Sequence, residues 1–312
     1  MNLLHTALEP MRTLAAALGP SPAFELKGRV ALITGGGDGI GMALARELRA
    51  GGMRLALIDI DDGKVAMAAT ELGGETLGIA ADVRDRAAMA VHVQRVTEHF
   101  GRLDLVIANA GVAPAPVTVR TISPEEFDRI VDVNLTGVLN TVKPAIETII
   151  ENRGHIVLVA SCAAFMPGMG MAPYMVSKAG VEQLGRALRI ELAPHGASAG
   201  VAYFGFVQTE FARPLDEDEL ARKFDAHIPY LLRRRISPEF AATQVIEGIT
   251  RRAGAVITPG IWTPIAWMRG MIAGPTDRYL TGDPWIHSMI RAIERRHAGE
   301  TAAAARHLRE AQ

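Results

Sequence analysis

Tyr174 stands four residues before Lys178, and Ser161 lies thirteen positions upstream of the tyrosine. Residues four apart share one face of a helix, so the Lys178 ammonium can lie beside the Tyr174 phenol and favour its ionised form. A phenol with a reference pKa of about 10 would then exchange protons closer to neutral pH. Far upstream, Gly35, Gly39 and Gly41 punctuate the run Thr34-Gly35-Gly36-Gly37-Asp38-Gly39-Ile40-Gly41. Glycines let backbone amides approach a pyrophosphate at the positive end of a helix dipole. A proton-transfer pair combined with a phosphate cradle points to hydride transfer with a dinucleotide.

These residues need a scaffold, and the chain alternates short β-rich runs with amphipathic stretches. Strands are expected at Arg29 to Thr34, Arg54 to Ile60, Thr76 to Ala81 and Leu103 to Ala108, with helices at Ile40 to Ala50, Asp62 to Leu72 and near Asp85 to Phe100. A long helical pattern from Pro124 to Asn152 leads to the apolar run His155 to Ala160. A helix from about Pro173 to Leu192, the strand Ala197 to Tyr203 and a last strand Ala255 to Pro259 complete the series. The fold class is therefore α/β, a doubly wound parallel sheet (Rossmann fold) with helices on both faces and a helical C-terminal extension. The expected divisions are an N-terminal amphipathic extension over 1–25, a nucleotide-binding catalytic domain over 26–260 and a helical extension over 261–312.

The glycine turn follows the first strand and opens the first helix, which is the setting a phosphate-binding turn requires. A tight turn with no ligand is the plain alternative for glycines at such a junction. Asp59 ends the second strand eighteen residues after Gly41, where a carboxylate accepts hydrogen bonds from adenosine ribose hydroxyls and repels a 2′-phosphate. No Arg or Lys occurs within the turn or at Ile60, Asp61 or Asp62, and Asp38 adds negative charge, so NAD is expected over NADP. The alternative for Asp59 is to cap the following helix.

On these residues the chain resembles the short-chain dehydrogenase/reductase family, over about residues 26 to 260. Thr34 to Gly41 is similar to the family's cofactor turn, placing Gly35, Asp38, Gly39, Ile40 and Gly41 against the dinucleotide. Asp82-Val83 resembles its adenine-contacting pair, and Asn109-Ala110-Gly111 its Asn-Ala-Gly strand end. Asn134 matches the family's helix asparagine, Ser161, Tyr174 and Lys178 its catalytic residues, and Val207 and Thr209 the positions that meet the nicotinamide carboxamide. Two departures stand out. Phe204-Gly205 replaces the common Pro-Gly after the strand following the catalytic helix, and Ala108 replaces the first asparagine of Asn-Asn-Ala-Gly.

The resemblance implies that Tyr174 exchanges a proton with an alcohol or ketone while hydride passes to or from nicotinamide C4, with Ser161 polarising the substrate oxygen. It implies that Lys178 lowers the Tyr174 pKa and holds the nicotinamide ribose, and that Asn134 holds a water linking Lys178 to solvent. No metal is required. Each residue has a plainer reading, as a core tyrosine, a surface lysine, a strand-end hydroxyl or a packing amide. Cys162 reads as a small packed hydrophobe rather than a nucleophile. Phe165, Met166, Pro167, Met169, Met171, Phe211, Leu215 and Ile228 to Leu232 can wall a pocket for a bulky hydrophobic secondary alcohol or ketone, and core packing explains them equally.

A chain of 312 residues, 49% hydrophobic and 21% charged, can bury a full core. Its formal net charge of -1 offers no general attraction to nucleic acid or anionic lipid. One cysteine permits no intrachain disulfide and suits a reducing cytoplasm. Leu3 to Leu18 carries a helical apolar pattern interrupted by Glu9, Pro10 and Arg12, so neither a cleaved signal peptide nor a spanning segment is expected. After residue 260, Trp262, Trp267, Met268, Met271, Trp285, Ile286, Met289 and Ile293 fit a lid or helix packing on the domain, a subunit interface or a weak membrane contact. The final Ala-rich stretch from Glu300 reads as frayed helix, and the family resemblance implies a homodimer or homotetramer. Rival functions are an NADP-linked carbonyl reductase and a non-catalytic nucleotide sensor on the same fold.

Overall fold

The structure, a computed structural model, describes residues 23–310; the expected amphipathic helix ending near Gly19-Pro20 lies outside them. β1 (Val30–Thr34) leads into α1 (Gly39–Ala50), then β2 (Arg54–Asp59), α2 (Asp62–Leu72), β3 (Thr76–Ala80), α3 (Arg86–Phe100) and β4 (Leu105–Ala108). α4 (Pro124–Val131), α5 (Gly137–Val142) and α6 (Ile146–Glu151) precede β5 (His155–Ser161), and α7 (Ala172–Leu192) connects it to β6 (Ser198–Phe204). Three short helices follow, α8 (Arg213–Glu217), α9 (Glu219–His227) and α10 (Tyr230–Arg233), then α11 (Pro238–Thr250) and β7 (Ala255–Thr258). The chain closes with α12 (Thr263–Gly282) and α13 (Pro284–Glu310).

The strands form one parallel sheet in the order β3-β2-β1-β4-β5-β6-β7. Chain direction across the sheet reverses between β1 and β4, so a crevice opens outside their carboxyl ends. All residues of β1 and β4 are buried, because helices cover both faces of the sheet. Successive residues feed opposite layers: Leu32, Val106, Leu158 and Val201 join one core cluster, while Ile33, Ile107, Val157 and Ala202 join the other.

The helical stretch after Pro124 departs from the single helix expected. Ser123 caps α4, its hydroxyl accepting from Glu126 N at 3.1 Å, but the winding widens into a π turn over Asp132–Thr136 and tightens into a 3₁₀ turn over Lys143–Ala145. Pro144 accounts for the second break, since it has no amide to donate. The π turn carries Asn134, and single π turns of this kind recur at functional positions.

The C-terminal region forms two unlike helices. Trp262 is buried in the core, and Arg269 of α12 makes a two-pronged ion pair with buried Glu182 of α7, at 2.6 and 2.8 Å. The outer face of α12 leaves Trp267, Met271 and Tyr279 exposed, whereas α13 buries Ile286, Met289 and Ile293. α13 thus packs on the chain through these three residues. No helix among the described residues is long and apolar enough to cross a membrane.

Candidate active site

The glycine turn is built by close approach. Gly35 has φ +62°, and a Cβ there would stand 3.0 Å from both Asn109 Nδ2 and Ala110 Cα. A Cβ on Gly41 would overlap the Gly35 carbonyl, so α1 starts directly against the turn. Asn109 Nδ2 donates to Thr34 O at 3.0 Å and Gly35 O at 3.1 Å, and Thr34 Oγ1 accepts from the amides of Asn109 and Ala110. The ends of β1 and β4 are thereby stitched into one rim beside Gly111.

Asp38 caps α1, with Oδ1 accepting from Gly39 N at 2.6 Å, and Oδ2 meets Lys64 Nζ at 2.8 Å. That hydrogen bond holds the Asp38 carboxyl below its ordinary range and raises Lys64. Asp59 Oδ2 accepts from Gly37 N at 3.0 Å and Oδ1 from Asp61 N at 3.1 Å. Asp61, not Asp59, caps α2, accepting from Lys64 N at 3.0 Å, so the capping alternative for Asp59 is not realised. Lys64 is the residue that sequence reasoning missed here. It lies past Asp62, in the first turn of α2, and only the fold turns it back onto the glycine turn.

Asp82 is held in the charged form by Arg84, 2.6 Å away, which also went unnoticed. Val83 is buried against Gly137, and its carbonyl accepts from Asn140 Nδ2 at 3.0 Å. Ile40 is half-buried in the first turn of α1 and packs against the second core cluster. Thr209 leans on the turn: a Cβ on Gly39 would lie 3.3 Å from its Cγ2. Val207 is buried and bridges to Ile236. The missing proline before Gly205 is offset, because Gly205 donates to Thr258 O at 2.9 Å and a Cβ on it would lie 2.6 Å from Trp262 Nε1.

Ser161, Tyr174 and Lys178 converge at the carboxyl end of β5. Ser161 Oγ donates to Phe204 O at 3.3 Å and accepts from Ala163 N at 3.2 Å. Burial pushes the Tyr174 phenol up to about 12, opposed by its hydrogen bond with Ser161. Lys178 is 3% exposed, its Nζ donates to Val159 O at 2.9 Å, and burial pushes it down to about 8. These directions correct one expectation. Lys178 Nζ lies 5.7 Å from the centre of the Tyr174 ring, and desolvation outweighs any lowering of the phenol by the ammonium. Asn134 Oδ1 accepts from Val112 N at 2.7 Å, and Nδ2 donates to Val112 O and Ser177 Oγ. A Cβ on Gly111 would stand 3.2 Å from Asn134 Oδ1 and 3.5 Å from Lys178 Nζ, so the two side chains meet across that glycine.

The apolar residues divide. Phe165 packs with Tyr203 and Trp262, and Phe165, Met166 and Leu232 are half-buried against the first core cluster. Phe211 remains 44% exposed with its ring 6.3 Å from that of Tyr174. Burial raises the Cys162 thiol well above its ordinary value, in keeping with a packed hydrophobe. Among the described residues no three His, Cys, Asp or Glu side chains gather as a metal site.

A dinucleotide fits this donor set. The glycine turn leaves room only for backbone, its amides cluster at the start of α1, and Asp59 and Thr209 stand at its two sides. Comparison with known proteins agrees. The family profile described as short chain dehydrogenase matches residues 29–220. An acetoacetyl-CoA reductase of Synechocystis is 32% identical over 235 residues, 75% of this chain and 93% of the relative. A (-)-trans-carveol dehydrogenase of Rhodococcus erythropolis is 36% identical over 187 residues, 54% of this chain and 68% of the relative. A short-chain dehydrogenase/reductase of Burkholderia phymatum, solved with NAD, superposes with TM-score 0.72 at 26% identity, covering 80% of this chain and 96% of that one. The chain belongs to the short-chain dehydrogenase/reductase family and is an oxidoreductase with a Rossmann nucleotide-binding fold.

Proposed function

We propose that the chain is an NAD(H)-dependent enzyme that interconverts a secondary alcohol and a ketone. The convergence of Ser161, Tyr174 and Lys178 at the end of β5, beside the rim formed by Gly35 and Asn109, carries the reading. The dinucleotide supplies the hydride acceptor or donor at its nicotinamide ring. Tyr174 Oη takes the alcohol proton in oxidation and returns it in reduction, and Ser161 Oγ holds the substrate oxygen. Lys178, with two of its three ammonium hydrogens unassigned to protein acceptors, is free to engage a ribose diol, and Asn134 orders the wall behind it.

Preference for NAD rests on Asp59, whose carboxylate lies at Gly37 where a ribose diol binds and a 2′-phosphate is repelled. Lys64 would favour NADP, but Asp38 already pairs with it. A bulky apolar substrate is supported by Phe211 beside Tyr174 and by the relative named for trans-carveol. Exposed Val176, Leu139 and Ile190, on α7 and α5, suit a homo-oligomer in a reducing cytoplasm. The test is a turnover screen of alcohols and ketones with NAD and NADP in parallel, following reduced nicotinamide by absorbance, with light scattering for the oligomer. Turnover of apolar secondary alcohols with NAD is expected. Exclusive use of NADP, or of small polyols, would contradict the corresponding part.

A further inference from the structure

Three segments rise from the carboxyl ends of the central strands around Tyr174. The first follows Gly111 and passes through Pro116 to Arg120, the second joins Ser161 to Tyr174 through Gly170, and the third follows Thr209 and contains α8, α9 and α10. In open α/β sheets the space outside these strand ends is where substrates bind. The first two segments are tied together, because Val117 N donates to Gly170 O at 2.9 Å and Val117 bridges to Met171.

α13 lies across all three. A Cβ on Gly170, which has φ +71°, would stand 3.3 Å from Ile293 Cδ1, so this glycine lets the helix settle on the second segment. Arg296 Nη2 donates to Pro116 O at 2.7 Å, and its Nη1 bonds Asp218. Asp218 in turn caps α9, accepting from Ala221 N at 2.8 Å. At the other end of α9 the His227 ring stacks on Trp285, with centroids 3.8 Å apart and planes 8° from parallel. α9 is therefore gripped at its N-cap and at its last residue. Glu294 adds bonds from Thr118 Oγ1 at 3.3 Å and Arg120 Nη1 at 2.8 Å.

The apolar face of α13 is committed to the same task. Ile286, Met289 and Ile293 are buried, yet they belong to neither of the two core clusters that flank the sheet. Ile293 stands over Gly170, and α13 packs against α9 and α12. The family match ends at residue 220, before α13.

We infer that α13 is the roof of the substrate cleft, with Arg296 and Trp285 as positioning residues that set the size and apolarity of the alcohol admitted beside Tyr174 and Phe211. The inference rests on the alcohol–ketone reading for its substrate, but not for its geometry. The reacting oxygen stays with Ser161 and Tyr174, and the remainder of the substrate lies under α13, between Phe211 and the Gly170 turn.

The experiment uses the full chain and four variants, Arg296→Ala, Arg296→Lys, Trp285→Ala and, as a control on the exposed side of the same helix, Arg295→Ala. KM and kcat are measured for cyclohexanol and for a bicyclic secondary alcohol at saturating NAD, and amide hydrogen exchange is followed over residues 219–227. Arg296→Ala should raise KM for the bicyclic alcohol about tenfold with kcat changed less than about threefold, an effect of about 1.4 kcal/mol. Exchange in α9 should quicken while the sheet stays protected, and Arg296→Lys should restore only part of the loss because an ammonium lacks the two-pronged reach. Values equal to those of Arg295→Ala, or faster exchange throughout the sheet, would overturn the inference. If no alcohol is turned over by the wild type while α9 still loosens in the variants, the roof stands and the substrate reading falls.

Discussion

Two buried cations at opposite ends of the same strands show how this chain separates stability from chemistry. At the amino end, Arg252 is 8% exposed and donates to Gly154 O at 2.7 Å, Arg153 O at 2.6 Å and Ser198 Oγ at 2.8 Å. Its guanidinium also lies 5.1 Å from the Phe24 ring, and neighbouring His155, by burial and then by that charge, is held neutral at about 3. At the carboxyl end, Lys178 is buried more completely and has one protein hydrogen bond. Arg252 leaves only its Nε without a partner and its other nitrogens tie three chain segments together, whereas a buried ammonium with a single protein acceptor is costly and suited to a ligand.

Replacing each cation by methionine should therefore act in opposite directions. Lys178→Met should lower kcat/KM by about 10²-fold or more, measured from reduced-nicotinamide absorbance, since proton transfer loses its partner. The same change should stabilise the fold. Burial depresses the lysine from 10.5 to about 8, a penalty on the order of 3 kcal/mol that is complete below pH 8. Between about pH 8 and 10.5 the folded lysine sheds its proton before the unfolded one does, so wild-type stability rises and the advantage of methionine fades. Urea titrations at pH 7 and pH 10 read this directly. Arg252→Met should cost about 2–3 kcal/mol in the same titration, because the Arg153 carbonyl loses its side-chain donor and the Gly154 carbonyl keeps only the Ser198 amide, and should leave turnover per folded molecule unchanged. Equal losses of activity in both variants would erase the contrast.

A smaller effect sharpens the picture at the cofactor turn. Asp38→Asn keeps the helix cap while releasing Lys64 from its ion pair. The ratio of NADPH to NADH affinity, measured by fluorescence titration, should rise about tenfold, and adding Lys64→Ala should reverse the gain. An unchanged ratio would assign the discrimination to Asp59 alone.

Much of the sheet was legible because its signal is local. β1 and β4 are unbroken apolar runs, α2 begins and ends where its cap and glycine stand, and the spacing of Tyr174 and Lys178 is a property of one helix. What escaped depends on distant chain segments. Lys64 meets Asp38 only after β1 and β2 pair, and Glu182, on the helix face of Tyr174 and Lys178, gains its partner Arg269 from a helix nearly ninety positions later. Phe165 and Met166 look equally suited to a pocket or a core, and the contacts of Phe165 with Tyr203 and Trp262 come from segments that local pattern does not relate. The sign of the Tyr174 shift was missed for a related reason: helix spacing shows that the ammonium is near, but not that both groups have lost their water.

The most direct test is the pH dependence of alcohol oxidation by the wild type and Tyr174→Phe at matched folded concentration. A phenol raised by burial and opposed by Ser161 should give a wild-type kcat/KM that climbs as pH rises, and a phenylalanine variant about 10³-fold slower with no such climb. A variant that keeps the wild-type rate and profile would show that the proton passes through another group.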